Sequence, residues 1–480
     1  MRFDLEDTSA PTTSGLPSLR VRSWFIDGVN PEAPRPFSSG LPTSPEDFLT
    51  KLPTDTLACW VRGHSGLVGF GRTLRLSATG ADRFTRLSAA WRALAGTAEV
   101  DDPVQLPGSG LLGFSSLAFA DDSRTASVID VPTFLMGRRD GRVWLTQITY
   151  PDQDVSPLRL SDAQLSPVRG ARLSAGRVTA GKYRRIVGEV SARLRAAADD
   201  PADDLLKVVL ARDTVVQADA DIDLRAVLGR LNRAFPSTWT YAVAGLVGAT
   251  PELLIGVQDG VVSSRVLAGT YRVQHDPESE LDAARKQLGA HKDSQEHRYA
   301  IHSLEQSLTP LSSDLRVDSE PHLLALSNVI HLASDARGTL DTRVPTAGSA
   351  AAGGVRGGAG DLGPGAGPGT GGAADRPWAL EVAAAVHPTA AVGGVPTDQA
   401  TRVIRESEAA DRGRFAGPIG WVDGYGNGQL GIALRCGQLE ARDRIRLWAG
   451  AGIMPDSDPE SELAETWAKM KPMRQALGLE

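Results

Sequence analysis

The chain has 480 residues, 41% of them hydrophobic and 23% charged, enough to bury a sizeable core as one large domain or as two intimate halves. Its formal net charge of −7 is spread along the chain without a basic block, which argues against a nucleic-acid partner that would need a Lys/Arg face. The acidic N-terminus lacks the basic-then-apolar order of a signal peptide and no apolar run approaches membrane-spanning length, so a cytoplasmic protein without membrane contact is expected.

Residues 1–19 are rich in Ser, Thr, Pro and charge and are expected to fray. From about residue 20 to 150, short apolar runs such as LACWVRG, GLVGFGRT and RVWLTQITY alternate with Gly and Pro, the pattern of an antiparallel sheet. One helix interrupts it, marked by Phe84, Leu87, Trp91 and Leu94 at helical spacing. A polar, Pro-bearing connector covers about 151–180, after which Tyr183, Ile186, Val187, Val190 and Leu194 mark one face of a helix. KVVLARDTVVQA then reads as a strand and LRAVLGRLNRAF as a helix, and further Gly-broken strands make the unit mixed α/β. Residues 346–374 are almost all Gly, Ala, Pro and small polar types, which supply no side chains for a core and read as a flexible insert. Cys59 and Cys436 stand far apart outside any CxxC pair, so packing is their expected role.

Charged residues that interrupt apolar strands or line one helix face are the candidates for chemistry. Lys207 opens the run KVVLAR, either as a functional ammonium at a sheet end or as an edge lysine that discourages aggregation. Glu252 lies between Pro251 and Leu253 in GATPELLIG; burial would raise its pKa and make it a proton donor near neutrality, whereas a turn position would leave it in water. Glu296 sits on a helix whose buried face is Ile301, Leu304, Leu308 and Leu311. Near the C-terminus Glu462, Glu465 and Lys469 fall beside the apolar stripe of Leu463, Trp467 and Met470, as a polar site at a core edge or as a solvated i,i+4 ion pair. LAGT at 267–270 and AGAGI at 449–453 can bring backbone N–H groups near an anion, and neither is a nucleotide fingerprint.

Together KVVLAR, ATPELLIG, LAGTYR, the KDxxEH order at Lys292 to His297, SNVIHLAS, VHPTAAVGGVPT, DRGRFAGPIGW, IALRC, AGAGI and AETWAKMK resemble the chorismate-utilising enzyme family, in the family's order. The resemblance is strong over 180–480 and looser before it. It implies a single large α/β (α+β) domain of two stacked β-sheets flanked by helices over 20–480, with an N-terminal sheet portion at 20–150 and a catalytic portion at 180–480. VHPTAAVGGVPT resembles the isochorismate synthase branch. Lys207 points the same way, as does Ala268, which stands where aminodeoxychorismate synthases carry a lysine.

For this chain the resemblance implies a Mg2+-dependent isomerase that turns chorismate into isochorismate for menaquinone or catechol siderophore synthesis, without an obligatory glutaminase subunit. Lys207 would be the general base and Glu252 the general acid. Glu296 and Glu465 would bind Mg2+, with Glu462 nearby. Arg435 would pair with the enolpyruvyl carboxylate, and Lys469 and the backbone near Gly452 would face the ring carboxylate and the metal. Gly269, Thr270 and His331 would also contact substrate. The rivals are a salicylate synthase, which eliminates pyruvate after making isochorismate, and an anthranilate- or aminodeoxychorismate-type synthase component. A chorismate-binding protein without activity is a third reading, disfavoured because acid, base and metal residues are all present.

Overall fold

The computed structural model describes residues 2–4, 15–26, 58–153, 164–289, 291–326, 329–342 and 376–479. The Gly/Ala/Pro-rich insert at 346–374 lies outside the described residues. The expected boundary near residue 20 moves at both ends: Leu19 is fully buried, and Arg2–Asp4 pairs in parallel with Leu74–Ala78. The residues between, 5–14, also lie outside the described residues.

Two large sheets share one core. Among the described residues the first runs in the order Arg2–Asp4, Leu74–Ala78, Ser127–Val131, Leu112–Ser116, Pro418–Asp423, Gly428–Ile432, Leu253–Gln258, Val261–Arg272 and Val329–Thr339, with two short strands at its far edge. The second begins Arg172–Ala175, Lys207–Gln217, Arg444–Ile453, Cys436–Ala441, Leu246–Thr250 and Trp239–Val243. It continues through Ala58–Arg62, Ser65–Phe70, Phe134–Arg139, Arg142–Thr149, Arg20–Phe25 and Glu99–Asp101, and Gly394–Val395 adds to the Lys207 strand.

The N-terminal strands therefore do not form a sheet of their own; they extend both sheets. Tyr241 pairs with Trp60 and Trp421 with Phe114, across wide gaps in sequence. Alternation within a strand fixes which face is buried and leaves its partner open. Trp60 and Tyr241 from one sheet and Leu253, Leu430 and Ile432 from the other belong to one buried cluster. A Trp60 Nε1 hydrogen bond to Gln429 Oε1 at 3.1 Å ties the two sheets together. Each large apolar side chain buried there contributes roughly 1.5–3 kcal/mol.

The helices follow their periodic faces. In Arg83–Thr97, Phe84, Leu87, Trp91 and Leu94 are all buried. In Ala180–Ala198 the buried set is Tyr183, Ile186, Val187, Val190 and Leu194, and the Thr179 hydroxyl caps the first turn by accepting from Lys182 N. Within the expected connector, Arg172–Ala175 forms a short exposed strand paired to the end of Lys207–Gln217. Both cysteines are buried and free. No helix among the described residues is long and apolar enough to cross a membrane.

Candidate active site

The site forms where several strand ends meet two helices. Lys207 opens its strand, held on one side by Arg444–Ile453 and on the other by Gly394–Val395. It is an interior position, fully buried, which excludes the edge-guard reading. Its ammonium lies 3.0 Å from Glu296 Oε1 as an ion pair. Glu296 comes from the helix His291–Leu308, where Leu304 and Leu308 of the expected face are buried together with Ala300, Ile301 is only partly buried, and Leu311 falls, also partly buried, in the 3-10 turn that follows. The next residue, His297, anchors that helix by a 2.9 Å hydrogen bond between Nε2 and Ser334 Oγ, and burial lowers its pKa to about 4.

Gly452 faces this pair. It lies opposite Val209 in the ladder, and a Cβ there would overlap the Glu296 carboxylate and come within 2.9 Å of Lys207 Cε. Backbone approach at Gly452 is thus what makes room for both charged groups. Gly452→Ala is expected to displace them and lower kcat/KM by about 100-fold, as a misplacement near 1 Å does. Turnover within threefold of wild type in a variant with an unchanged melting temperature would contradict that packing role.

Glu252 follows Pro251 between Leu246–Thr250 and Leu253–Gln258, so the chain delivers its carboxyl to the space between the sheets. It is 4% exposed, and burial pushes its pKa up to about 7 against the opposing pull of the Leu267 backbone hydrogen bond and the charges of Arg435, Lys207 and Lys469. The turn-in-water alternative is excluded. Arg435 is buried too, with burial lowering its pKa to about 10, and its backbone sits in the left-handed region at φ 49°. Such a conformation in a non-Gly residue is held by its surroundings and is common at functional sites.

The helix Pro459–Ala476 supplies the remaining charges. Lys469 Nζ lies 2.6 Å from Glu465 Oε1 and 3.0 Å from Gly450 O, so the i,i+4 pair foreseen as an alternative exists, but both partners are largely withdrawn from solvent. Glu462 is buried and accepts from Ser457 Oγ at 2.7 Å. A cavity of about 680 Å³, the open space at its mouth included, lies between these elements. Eight of the ten candidate residues line it; the other two, Lys207 and Glu465, pair with the lining Glu296 and Lys469.

Sequence reasoning passed over three contributors to the wall. Arg412 lines the cavity while its guanidinium is spent on Glu408, Val209 O and Val392 O, clamping the HPT-containing segment to the Lys207 strand. Phe415 and Trp448 stack at 5.6 Å on another side. The basic and aromatic residues in DRGRFAG and RLWAGAGI were the available signal, but which of them face inward depends on long-range pairing. His387 is not at the cavity: it packs between Phe84 and Phe119 with Nε2 2.9 Å from Phe119 O. Its segment contributes Ala391 and Val392 to the lining.

A cavity lined by a carboxyl whose pKa burial raises to about 7 and by a buried guanidinium, with a buried ammonium paired to the lining Glu296, suits acid–base chemistry on a small anionic ligand. The family model described as chorismate binding enzyme matches residues 60–349 and 370–478. A Mycobacterium tuberculosis protein provisionally named isochorismate synthase MenF is 34% identical over 345 residues, 69% of this chain and 83% of that one. The salicylate biosynthesis isochorismate synthase of Pseudomonas aeruginosa is 30% identical over 439 residues, 87% of this chain and 84% of that one. The solved structure of MenF, the menaquinone-specific isochorismate synthase from Escherichia coli, matches with a TM-score of 0.69 over 96% of this chain and 95% of that one; at 19% identity it shows a shared fold.

Proposed function

Since the chain belongs to the chorismate-binding enzyme family, we propose that it is an isochorismate synthase, an isomerase that moves the ring hydroxyl of chorismate from C4 to C2. The observation that carries the reading is Glu252, a carboxyl that burial keeps half-protonated at about pH 7 in the same cavity as Arg435, with the Lys207–Glu296 pair at its wall. Lys207, in its neutral form, takes a proton from water as the water oxygen bonds to C2. Glu252 gives its proton to the C4 hydroxyl, which leaves as water while the ring double bonds shift. Arg435 holds the enolpyruvyl carboxylate, and Lys469 with the backbone at Gly452 holds the ring carboxylate.

Glu296 and Glu465 are the residues that would hold a divalent cation of the Mg2+ type, since carboxylate oxygens are the donors such an ion takes. Among the described residues no group of three or more His, Cys, Asp or Glu is placed to hold a metal by itself, so an ion here would need substrate and water to complete its shell. Each carboxylate faces an ammonium, a positive charge of the kind the ion would replace. Bound there, Mg2+ would supply positive charge that offsets the substrate dianion, with Glu296 and Glu465 as the residues that would hold it.

Mutual binding follows from that arrangement. Mg2+ should tighten chorismate binding, and chorismate should tighten Mg2+ binding by the same factor. Glu465→Gln should weaken both together. Calorimetric titration of chorismate with and without Mg2+, for wild type and variant, reads this directly; equal affinities in all four titrations would remove Glu465 from the metal site.

The functional test is product analysis. Purified protein, chorismate and Mg2+ should give isochorismate, without pyruvate and, when ammonium is added, without aminated product. Release of pyruvate with salicylate would establish the eliminating reaction instead. An ammonium-dependent amine would establish an aminating synthase, and unchanged chorismate would overturn the enzyme reading. The names of the relatives attach isochorismate to menaquinone in one case and to salicylate in another.

A further inference from the structure

The ladder between Val261–Arg272 and Val329–Thr339 slips once, between Ala268 and Thr270, where Leu332 and then His331 lie opposite. Gly269 is the extra residue. It adopts φ 74°, a left-handed conformation that glycine takes without steric cost. A bulge of this kind releases one residue from the ladder and re-aims its neighbours. Here it frees the Gly269 carbonyl, which lies 2.9 Å from His331 Nδ1, with Thr270 Oγ1 at 3.4 Å from the same nitrogen. The opposite ring nitrogen, Nε2, lies 2.9 Å from Arg435 Nη2.

The proton positions follow from the partners. A carbonyl oxygen only accepts and a guanidinium only donates. His331 must therefore carry its proton on Nδ1, toward Gly269 O, and present a lone pair on Nε2 to Arg435. Any other state would set two donors, or two acceptors, against each other in a buried place. Burial, and after it the Arg435 charge, lowers the His331 pKa to about 3, so the ring stays neutral over the working range. The hydrogen bond to Nε2 is the one side-chain bond recorded for the Arg435 guanidinium among the described residues, which leaves its other donors for a ligand.

We propose that His331 is a positioning residue, whose tautomer is fixed by the bulge carbonyl of Gly269 and whose Nε2 holds the Arg435 guanidinium in the orientation that receives a carboxylate of the substrate. This rests on the proposed function and refines it. Substrate contact is the role the resemblance implies for His331, which lines the cavity; its hydrogen bonds add a role toward the arginine. A buried arginine on a left-handed backbone needs such a brace, because a free guanidinium would have to be ordered again at every binding event.

Two measurements test it. The first needs no substrate: 15N NMR of histidine-labelled protein, with His331→Gln identifying the resonance, should show a protonated Nδ1 and a hydrogen-bonded, unprotonated Nε2 from pH 5 to 9. A ring protonated at Nε2, alone or with Nδ1, overturns the proposal whatever reaction the protein catalyses. The second is kinetic. His331→Leu, which cannot accept, should raise KM for chorismate about 10- to 100-fold, the cost of losing a hydrogen bond to a charged group, while kcat falls far less. His331→Gln, whose amide oxygen can reach the Nε2 position, should restore KM to within a few fold, whereas His331→Asn, too short to reach Arg435, should not. Equal KM in all three variants, or a defect confined to kcat, overturns the positioning role. If wild type makes no isochorismate, the functional reading fails and the NMR result still decides the tautomer.

Discussion

Lys207→Ala is expected to lower chorismate turnover by roughly 10²–10⁴-fold, the range that a positioned proton acceptor contributes. The ammonium is fully buried and its recorded partner is Glu296, so no exposed neighbour is poised to take over the proton. Lys207→Arg should not restore activity, because a guanidinium keeps its proton and cannot act as a base. Stability is the competing explanation for any loss. Removing one member of a buried ion pair is costly where the other is left enclosed. Glu296, however, lines the cavity and its side chain is 14% exposed, so water can solvate it in the variant. The check is a steady-state rate together with a melting curve and a calorimetric titration with chorismate. A folded Lys207→Ala protein that keeps a tenth of wild-type turnover would remove Lys207 from the base role.

The second large effect is expected from Glu252→Gln, which preserves shape and removes the transferable proton. Turnover should fall by roughly 10²–10⁴-fold. In wild type, the protonated fraction of Glu252 declines as pH rises through about 7, so the acid-dependent rate should decline with it. The same shift acts on stability with a definite sign. A carboxyl whose pKa is raised in the folded state binds its proton more tightly there than in the unfolded chain, so folding is favoured at low pH. The native state loses stability as pH climbs from the ordinary carboxyl value of 4.5 to about 7, with no further loss from this group above that. Glu252→Gln lacks this penalty. Its melting temperature relative to wild type should therefore be more favourable at pH 8 than at pH 4. A variant that is inactive and relatively less stable at pH 8 than at pH 4 would show that Glu252 is ionised in the native protein, and the acid assignment would fail.

Helix positions were legible because periodicity is local: Leu87 and Trp91, or Ile186 and Val190, declare a buried face within a few turns. The chemistry-bearing residues were legible as types and neighbourhoods. Lys207 leading an apolar strand and Glu252 before Leu253 are local facts, and the ordered segments that resemble chorismate-utilising enzymes carried the family and the two-sheet architecture. The alternatives left open for Lys207, Glu252 and the Glu462–Lys469 helix were all questions of burial. Burial depends on what packs from elsewhere in the chain, which no local pattern contains.

The sequence by itself thus determined the helix faces, the strand alternation, the family and the set of candidate residues. Only the tertiary structure decided that Lys207 is interior and meets Glu296, that Gly452 makes the room for both, and that Arg412 belongs to the wall while His387 does not. It also divided the N-terminal strands between the two sheets and turned His331 toward Arg435 through a one-residue bulge at Gly269. The physical reason is common to all of these. Strand pairing and side-chain burial are long-range choices, made by partners hundreds of residues apart, whereas dihedral preference and hydrophobic period are properties of neighbours.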